Sequence, residues 1–112
     1  MIIINSKDAK VTEFRNGSLI AGIINKAQDS EVTIGSAVFG PNSRVPEEGF
    51  GVHDFDEYSF IIDGELEAQI EDQHVTLGPE QFSYIAEGEK HWSMNKTDKD
   101  CKLVWVSVKK IK

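Results

Sequence analysis

Residues 51–64 read Gly51-Val52-His53-Asp54-Phe55-Asp56-Glu57-Tyr58-Ser59-Phe60-Ile61-Ile62-Asp63-Gly64, and the fold turns on how this stretch is placed. His53 and Glu57 are separated by an even step, so on an extended strand both side chains point to the same side. A second stretch, Gly88-x2-His91-x3-Asn95, follows after a short strand-like run and supplies another imidazole. Two imidazoles and one carboxylate are donor classes that a divalent transition metal accepts. The side they share would be the interior of a barrel.

Asp63-Gly64 is the strongest local turn signal, because a two-residue Asp-Gly loop supplies the positive φ angles of a type I′ hairpin. Counting outward from it pairs Ile62 with Glu65, Ile61 with Leu66, Ser59 with Ala68 and Glu57 with Ile70, opposite residues sharing a face. Glu57 then emerges among Ser59, Ile61, Leu66, Ala68 and Ile70, an apolar lining. A carboxylate in that company is paired, metal-bound or protonated, because an isolated buried charge is too costly. The other face carries Tyr58, Phe60 and Ile62 beside Glu65, Glu67 and Gln69. Apolar residues on both faces of the strand predict an outer cover, either a second subunit or residues 2–4 folded back within the chain.

Extended segments are expected at residues 10–14, 18–24, 31–39, 57–63, 65–71, 74–77, 82–85, 91–95 and 102–108, all rich in β-branched or aromatic residues. Turn signals separate them at Asn16-Gly17, Gly40-Pro41, Asp63-Gly64, Gly78-Pro79 and Glu87-Gly88. No window holds a helical period. Many short strands in one small chain predict a sandwich or a barrel.

The two stretches resemble the motifs of the cupin family, Gly-x5-His-x-His-x3-4-Glu-x6-Gly and Gly-x5-Pro-x-Gly-x2-His-x3-Asn. His53, Glu57 and Gly64 match the first, and Gly88, His91 and Asn95 the second. Gly51 stands in the first histidine slot, Val45 in the leading glycine slot, Ala86 in the proline slot, and Glu80 in the second leading glycine slot, with Gly78 two residues early. The resemblance spans roughly residues 30–108. It implies an all-β, cupin-type double-stranded β-helix (jelly-roll) barrel, one domain over residues 1–112, that forms a homodimer. It also implies a divalent metal held by His53, Glu57 and His91, with one of the four usual ligands replaced by Gly51. Three protein ligands leave about three positions open on an octahedral ion, which favours Fe, Mn or Ni, with Zn at lower coordination number.

Composition narrows the partners. The 112 residues, 39% hydrophobic, fit one domain with one core. A net charge of −7 opposes binding to nucleic acid, which needs a basic stripe. Met1-Ile2-Ile3-Ile4 turns polar at Asn5, too short for a signal peptide, and no run approaches a membrane span, so the expectation is a cytoplasmic protein without a membrane partner. Cys101 is the only cysteine, which rules out an internal disulfide and reads as a strand-end residue. His74 lies out of phase with Val75 and Leu77 and is expected to face solvent.

The loop from Gly40 to Phe50 precedes the metal-like residues and is where contacts to a small-molecule ligand are expected, with Arg44 the residue able to hold a carboxylate. Ser59, Gln69, Tyr84, Asn95 and Trp105 are the further candidates for ligand contact. By parity, Ser93 and Asn95 share the face of His91, whereas Trp92 and Met94 do not. There is no phosphate-cradling glycine loop, nucleophile elbow or cysteine–histidine frame. Three readings stand: a metal-dependent enzyme of dioxygenase, decarboxylase or isomerase type, a non-catalytic module that binds or senses a sugar or small acid, and a structural dimerisation domain. Fold alone does not choose among them.

Overall fold

A computed structural model describes residues 1–27 and 29–111. After a 3-10 turn at Ser6–Asp8, ten strands follow: β1 (Lys10–Phe14), β2 (Gly17–Lys26), β3 (Ser30–Phe39), β4 (Arg44–Val45), β5 (Asp56–Asp63), β6 (Leu66–Ile70), β7 (Gln73–Leu77), β8 (Phe82–Ile85), β9 (His91–Met94) and β10 (Cys101–Lys110). They form two antiparallel sheets, a larger one in the order β1-β2-β3-β10-β5-β8 and a smaller one in the order β4-β9-β6-β7. This is the jelly-roll arrangement, with the inner faces of the two sheets enclosing the core. The nine expected extended segments each correspond to a strand, and β4 is an addition within the Gly40–Phe50 loop.

The expected hairpin does not form. β5 pairs with β10 and β8 in the larger sheet, whereas β6 pairs with β7 and β9 in the smaller one. Asp63-Gly64 is therefore a corner between sheets. Gly64 has a φ of +88°, Asp63 is not left-handed, and a Cβ at Gly64 would stand 2.5 Å from the Asp100 carbonyl oxygen. The glycine serves a close backbone approach as much as a turn. Glu57, Ser59 and Ile61 of β5 and Leu66, Ala68 and Ile70 of β6 still face one another, across the interior rather than side by side.

Ala37, Phe39, Ile61, Leu66, Cys101 and Leu103 are the buried core, with Phe14, Leu19, Val45, Leu77 and Trp105 packed against it. Cys101 is fully buried, and burial pushes its thiol up to about 11, so it is an inert packing residue.

The outer row of β5 differs from expectation in its neighbours. Tyr58 and Phe60 lie beside Val106 and Val104 of β10 and beside Tyr84 and Phe82 of β8, not beside an acidic row. Tyr58 stacks on Tyr84 at 5.0 Å and Phe60 packs on Phe82 at 4.6 Å. The N-terminal cover is absent: Tyr58 stays 44% exposed and Ile62 52%, while Ile2 and Ile3 are themselves exposed.

Candidate metal centre

Glu57 is set by the strand it belongs to. It is the first inward residue of β5, opposite Ile85 of β8, and its side chain keeps 26% of its exposure. His91 opens β9, pairs with Ile70 and is 6% exposed. Gly51 is bridged to His91 by two backbone hydrogen bonds, Gly51 N–H to the His91 carbonyl at 2.8 Å and His91 N–H to the Gly51 carbonyl at 3.0 Å. This clamp fixes the chain just ahead of His53.

His53 itself precedes β5 and lies outside any strand, with bends at Asp54 and Phe55. The even-step argument therefore reaches the right residue by a premise the backbone does not meet. What carries the imidazole inward is the Gly51–His91 bridge together with Phe55, whose ring stacks on His53 at 4.5 Å and 10°. The two imidazoles then stand 4.7 Å apart, tilted by 58°. Nothing in the sequence around Phe55 signals this role.

One donor atom from each of His53, Glu57 and His91 lies within 4.8 Å of the others. His53 Nε2 and Glu57 Oε1 are 3.7 Å apart. His91 Nδ1 is 3.0 Å from the Glu89 carbonyl oxygen, which can only accept, so the tautomer suited to this contact has the proton on Nδ1 and presents the Nε2 lone pair as the ligating atom. Burial holds His53 below its ordinary value, reinforced by the neighbouring His91 and opposed by Asp54. Burial also raises Glu57, partly offset by His91. The His53 imidazole is thus favoured in its neutral, ligating form, and the Glu57 carboxylate lacks a permanent counter-charge. Bonds near 2 Å place neighbouring ligands roughly 3 Å apart, so small rotations of the rings and carboxylate would close the group on an ion. The donor set fits a divalent transition metal.

Comparison with known proteins places this geometry in a family. Residues 38–107 match the cupin domain profile, which is more than half of the chain. The chain belongs to the cupin family. No curated, characterised protein matches it in sequence. Among solved structures, this cupin is similar to a protein of unknown function from Rhizobium leguminosarum bv. viciae 3841, at 18% identity and a TM-score of 0.74 over 96% of this chain and 95% of that one. It is similar to a predicted oxalate decarboxylase from Thermotoga maritima, at 16% identity and TM-score 0.70 over 95% and 97% of the two chains. It is also similar to the polyketide cyclase RemF from Streptomyces resistomycificus, at 16% identity and TM-score 0.70 over 100% and 86%. At such identities the likeness is one of fold.

The cupin interior holds a cavity of about 290 Å³ with His53, Glu57 and His91 on its wall. Ser59 and Trp105 line it as expected, and so do Ser93 and Ser83, the latter at a position that no motif or parity argument singles out. Trp105 is accommodated by Gly35 directly across from it on β3, where a Cβ would meet the indole at 2.6 Å, and its Nε1–H donates to the Ser36 carbonyl at 3.2 Å. Tyr84 borders the cavity, but its ring stacks on Tyr58 on the outer face and its hydroxyl lies 3.3 Å from Asp56.

Three candidate contacts stand away from the cavity. Arg44 donates to the carbonyls of Pro46 at 2.8 Å and Gly49 at 3.0 Å, with its guanidinium 4.9 Å over the Trp92 ring, so it ties the mouth loop down. Gln69 points outward from β6 and donates to the Glu71 carbonyl. Asn95 is fully buried and its side chain makes four hydrogen bonds, donating to the Phe39 and Lys99 carbonyls and accepting from the Thr97 amide and hydroxyl. Its place after β9 is structural. His74 faces out as expected, 2.9 Å from Glu67. Gly51 leaves the fourth ligand slot without a side chain, and Glu48 of the mouth loop is exposed. Among the described residues no helix is long and apolar enough to cross a membrane.

Proposed function

We propose that this cupin holds one divalent transition metal through His53, Glu57 and His91 and acts on a small organic molecule in the adjoining cavity. The observation that carries the reading is the approach of three ligating atoms to within 4.8 Å on the wall of a ligand-sized, apolar cavity. A bound Fe, Mn, Ni or Zn ion would supply Lewis acidity or oxygen activation toward a chelating ligand. The chain's own residues prepare the site. The Glu89 carbonyl fixes the tautomer of His91, Phe55 packs the His53 ring in place, and the cavity wall beside them is mostly apolar. The fold neighbours named as a predicted oxalate decarboxylase and a polyketide cyclase are in keeping with an enzyme of dioxygenase, decarboxylase or isomerase type.

Gly51 favours a second reading, a non-catalytic binding cupin in which the metal is weakly held or dispensable. In either reading residues 1–112 act as one cytoplasmic domain. The exposed outer row of Tyr58, Ile62, Phe82 and Tyr84 docks a second copy of the chain.

Chelation separates the two readings. Metal that binds only the folded state stabilises it by mass action, so a chelator lowers the melting temperature of loaded protein at pH 7.5. It has little effect at pH 5, where protons compete for the imidazoles and the carboxylate. His91→Ala abolishes the chelator effect, whereas His74→Ala, whose ring lies on the outer face beside Glu67, preserves it. Equal melting temperatures with and without chelator at pH 7.5, in protein shown to be loaded, would leave the binding module as the better reading.

A further inference from the structure

We infer that the ligand of this cavity is an aromatic molecule of about a dozen heavy atoms bearing neutral or singly ionised oxygen donors, not a dicarboxylate or a sugar acid. The inference deepens the proposed function and rests on it for the placement of the oxygen donors. Three features of the cavity lead to it.

Charge is the first. Among the described residues that line the cavity there is no lysine, arginine or aspartate, and the only acid–base side chain besides His53, Glu57 and His91 is the outward-turned Tyr84 phenol. Arg44, the one cation that the sequence offered for a carboxylate, is committed to the Pro46 and Gly49 carbonyls. A divalent ion with Glu57 ionised and both imidazoles neutral leaves one positive charge at the centre. A phenolate or enolate neutralises it. A dicarboxylate would leave a net negative charge against apolar walls with no cation to meet it, which low-polarity surroundings strongly disfavour. The overall charge of −7 adds a repulsive field for dianions.

Polarity is the second. Sugar acids need a dense set of hydrogen-bond partners. Here the Trp105 N–H is already used by Ser36, and the remaining polar contacts are the hydroxyls of Ser59, Ser83 and Ser93 against walls such as Ile61, Leu66 and Leu103. Removing hydroxyls from water without replacement partners costs roughly 1–3 kcal/mol each, whereas aromatic surface gains on entry.

Size is the third. A dry apolar cavity of about 150 Å³ holds one benzene. The 290 Å³ here is about twice that, which suits a fused two-ring body.

The test uses 2,3-dihydroxynaphthalene, which joins such a body to two adjacent oxygen donors. The chain has two tryptophans, and Trp92 lies outside the cavity under Arg44, so W92F leaves Trp105 as a reporter on the cavity wall. We expect saturable quenching of Trp105 with one ligand per chain. Calorimetry on the unmodified protein should give the same stoichiometry, which guards against a folding defect of the variant. Oxalate, malonate and galacturonate should bind at least tenfold more weakly than the naphthalene diol. 2-Naphthol, with a single donor, should still bind after chelation of the metal, because the apolar walls remain. Metal content measured in the same samples keeps the two claims apart. Loaded protein that prefers oxalate, malonate or galacturonate overturns the ligand class and leaves the metal centre standing. Protein that takes no metal yet binds 2-naphthol supports the aromatic class and removes the proposed function. Absence of binding by either naphthalene probe overturns the inference.

Discussion

The order of stability between wild type and Glu57→Gln should reverse between metal-free and metal-loaded protein. The carboxylate sits on the cavity wall with its side chain 26% exposed, and its nearest ionisable partner, His53 Nε2, is 3.7 Å away. Burial raises its folded-state value above that of the unfolded chain. A carboxylate with a raised folded value stabilises the protein fully only below the unfolded value, and that contribution disappears as pH rises through the folded one. At pH 7.5 the ionised group is therefore a net burden. An unfolding entropy of about 2.1 cal/mol/K per residue gives a chain of 112 residues about 0.24 kcal/mol per degree. Metal at a hundred times its Kd adds about 2.7 kcal/mol, or about 11 °C, to the wild type. Differential scanning fluorimetry at pH 7.5 should thus show Glu57→Gln melting above the wild type in chelator and below it in excess Mn(II), with the chelator advantage gone at pH 4. A variant that melts below the wild type in chelator at pH 7.5, or that gains as much from Mn(II), would refute this account of the site.

Asn95→Ala should lower the melting temperature by about 8–17 °C, equivalent to about 2–4 kcal/mol, because it strands the buried Phe39 carbonyl and unties the Thr97–Lys99 loop. Metal retention per folded chain should stay unchanged, as scanning calorimetry and metal analysis of the same sample will report. Light scattering at micromolar concentration should give twice the monomer mass, and Phe82→Glu, which puts charge on a ring that is 80% exposed, should return it to the monomer. A monomeric wild type would eliminate the second copy as the cover of the outer row.

The strands and the faces of their residues are legible in the sequence because side-chain alternation is a local property. Glu57, Ser59 and Ile61 face Leu66, Ala68 and Ile70 whether the two strands lie side by side or across the interior, so the lining is found even though the expected hairpin does not form. Pairing partners depend on long-range contacts: Gly64, which reads locally as a hairpin residue, also admits the close approach of Asp100 and Cys101, and nothing within residues 57–70 names those partners. The same limit applies to polar side chains. Arg44 and Asn95 have the chemistry of ligand contacts, but their partners are backbone carbonyls brought in by the fold. The metal-compatible triad is readable because its spacing follows the motifs. Phe55 and Ser83, which shape the same cavity, occupy no motif position and become visible only in three dimensions.

Metal stoichiometry of untagged protein tests the central claim most directly. After incubation with Mn(II), Fe(II), Ni(II) or Zn(II) and removal of unbound ion by gel filtration, plasma mass spectrometry should find about one ion per chain for at least one of these metals. The combined variant His53→Ala, Glu57→Gln, His91→Ala should retain less than about a tenth of that while keeping its β-rich circular dichroism. Wild-type protein that retains none of the four metals, or a folded triple variant that retains as much as the wild type, would contradict the assignment of the centre to these three residues.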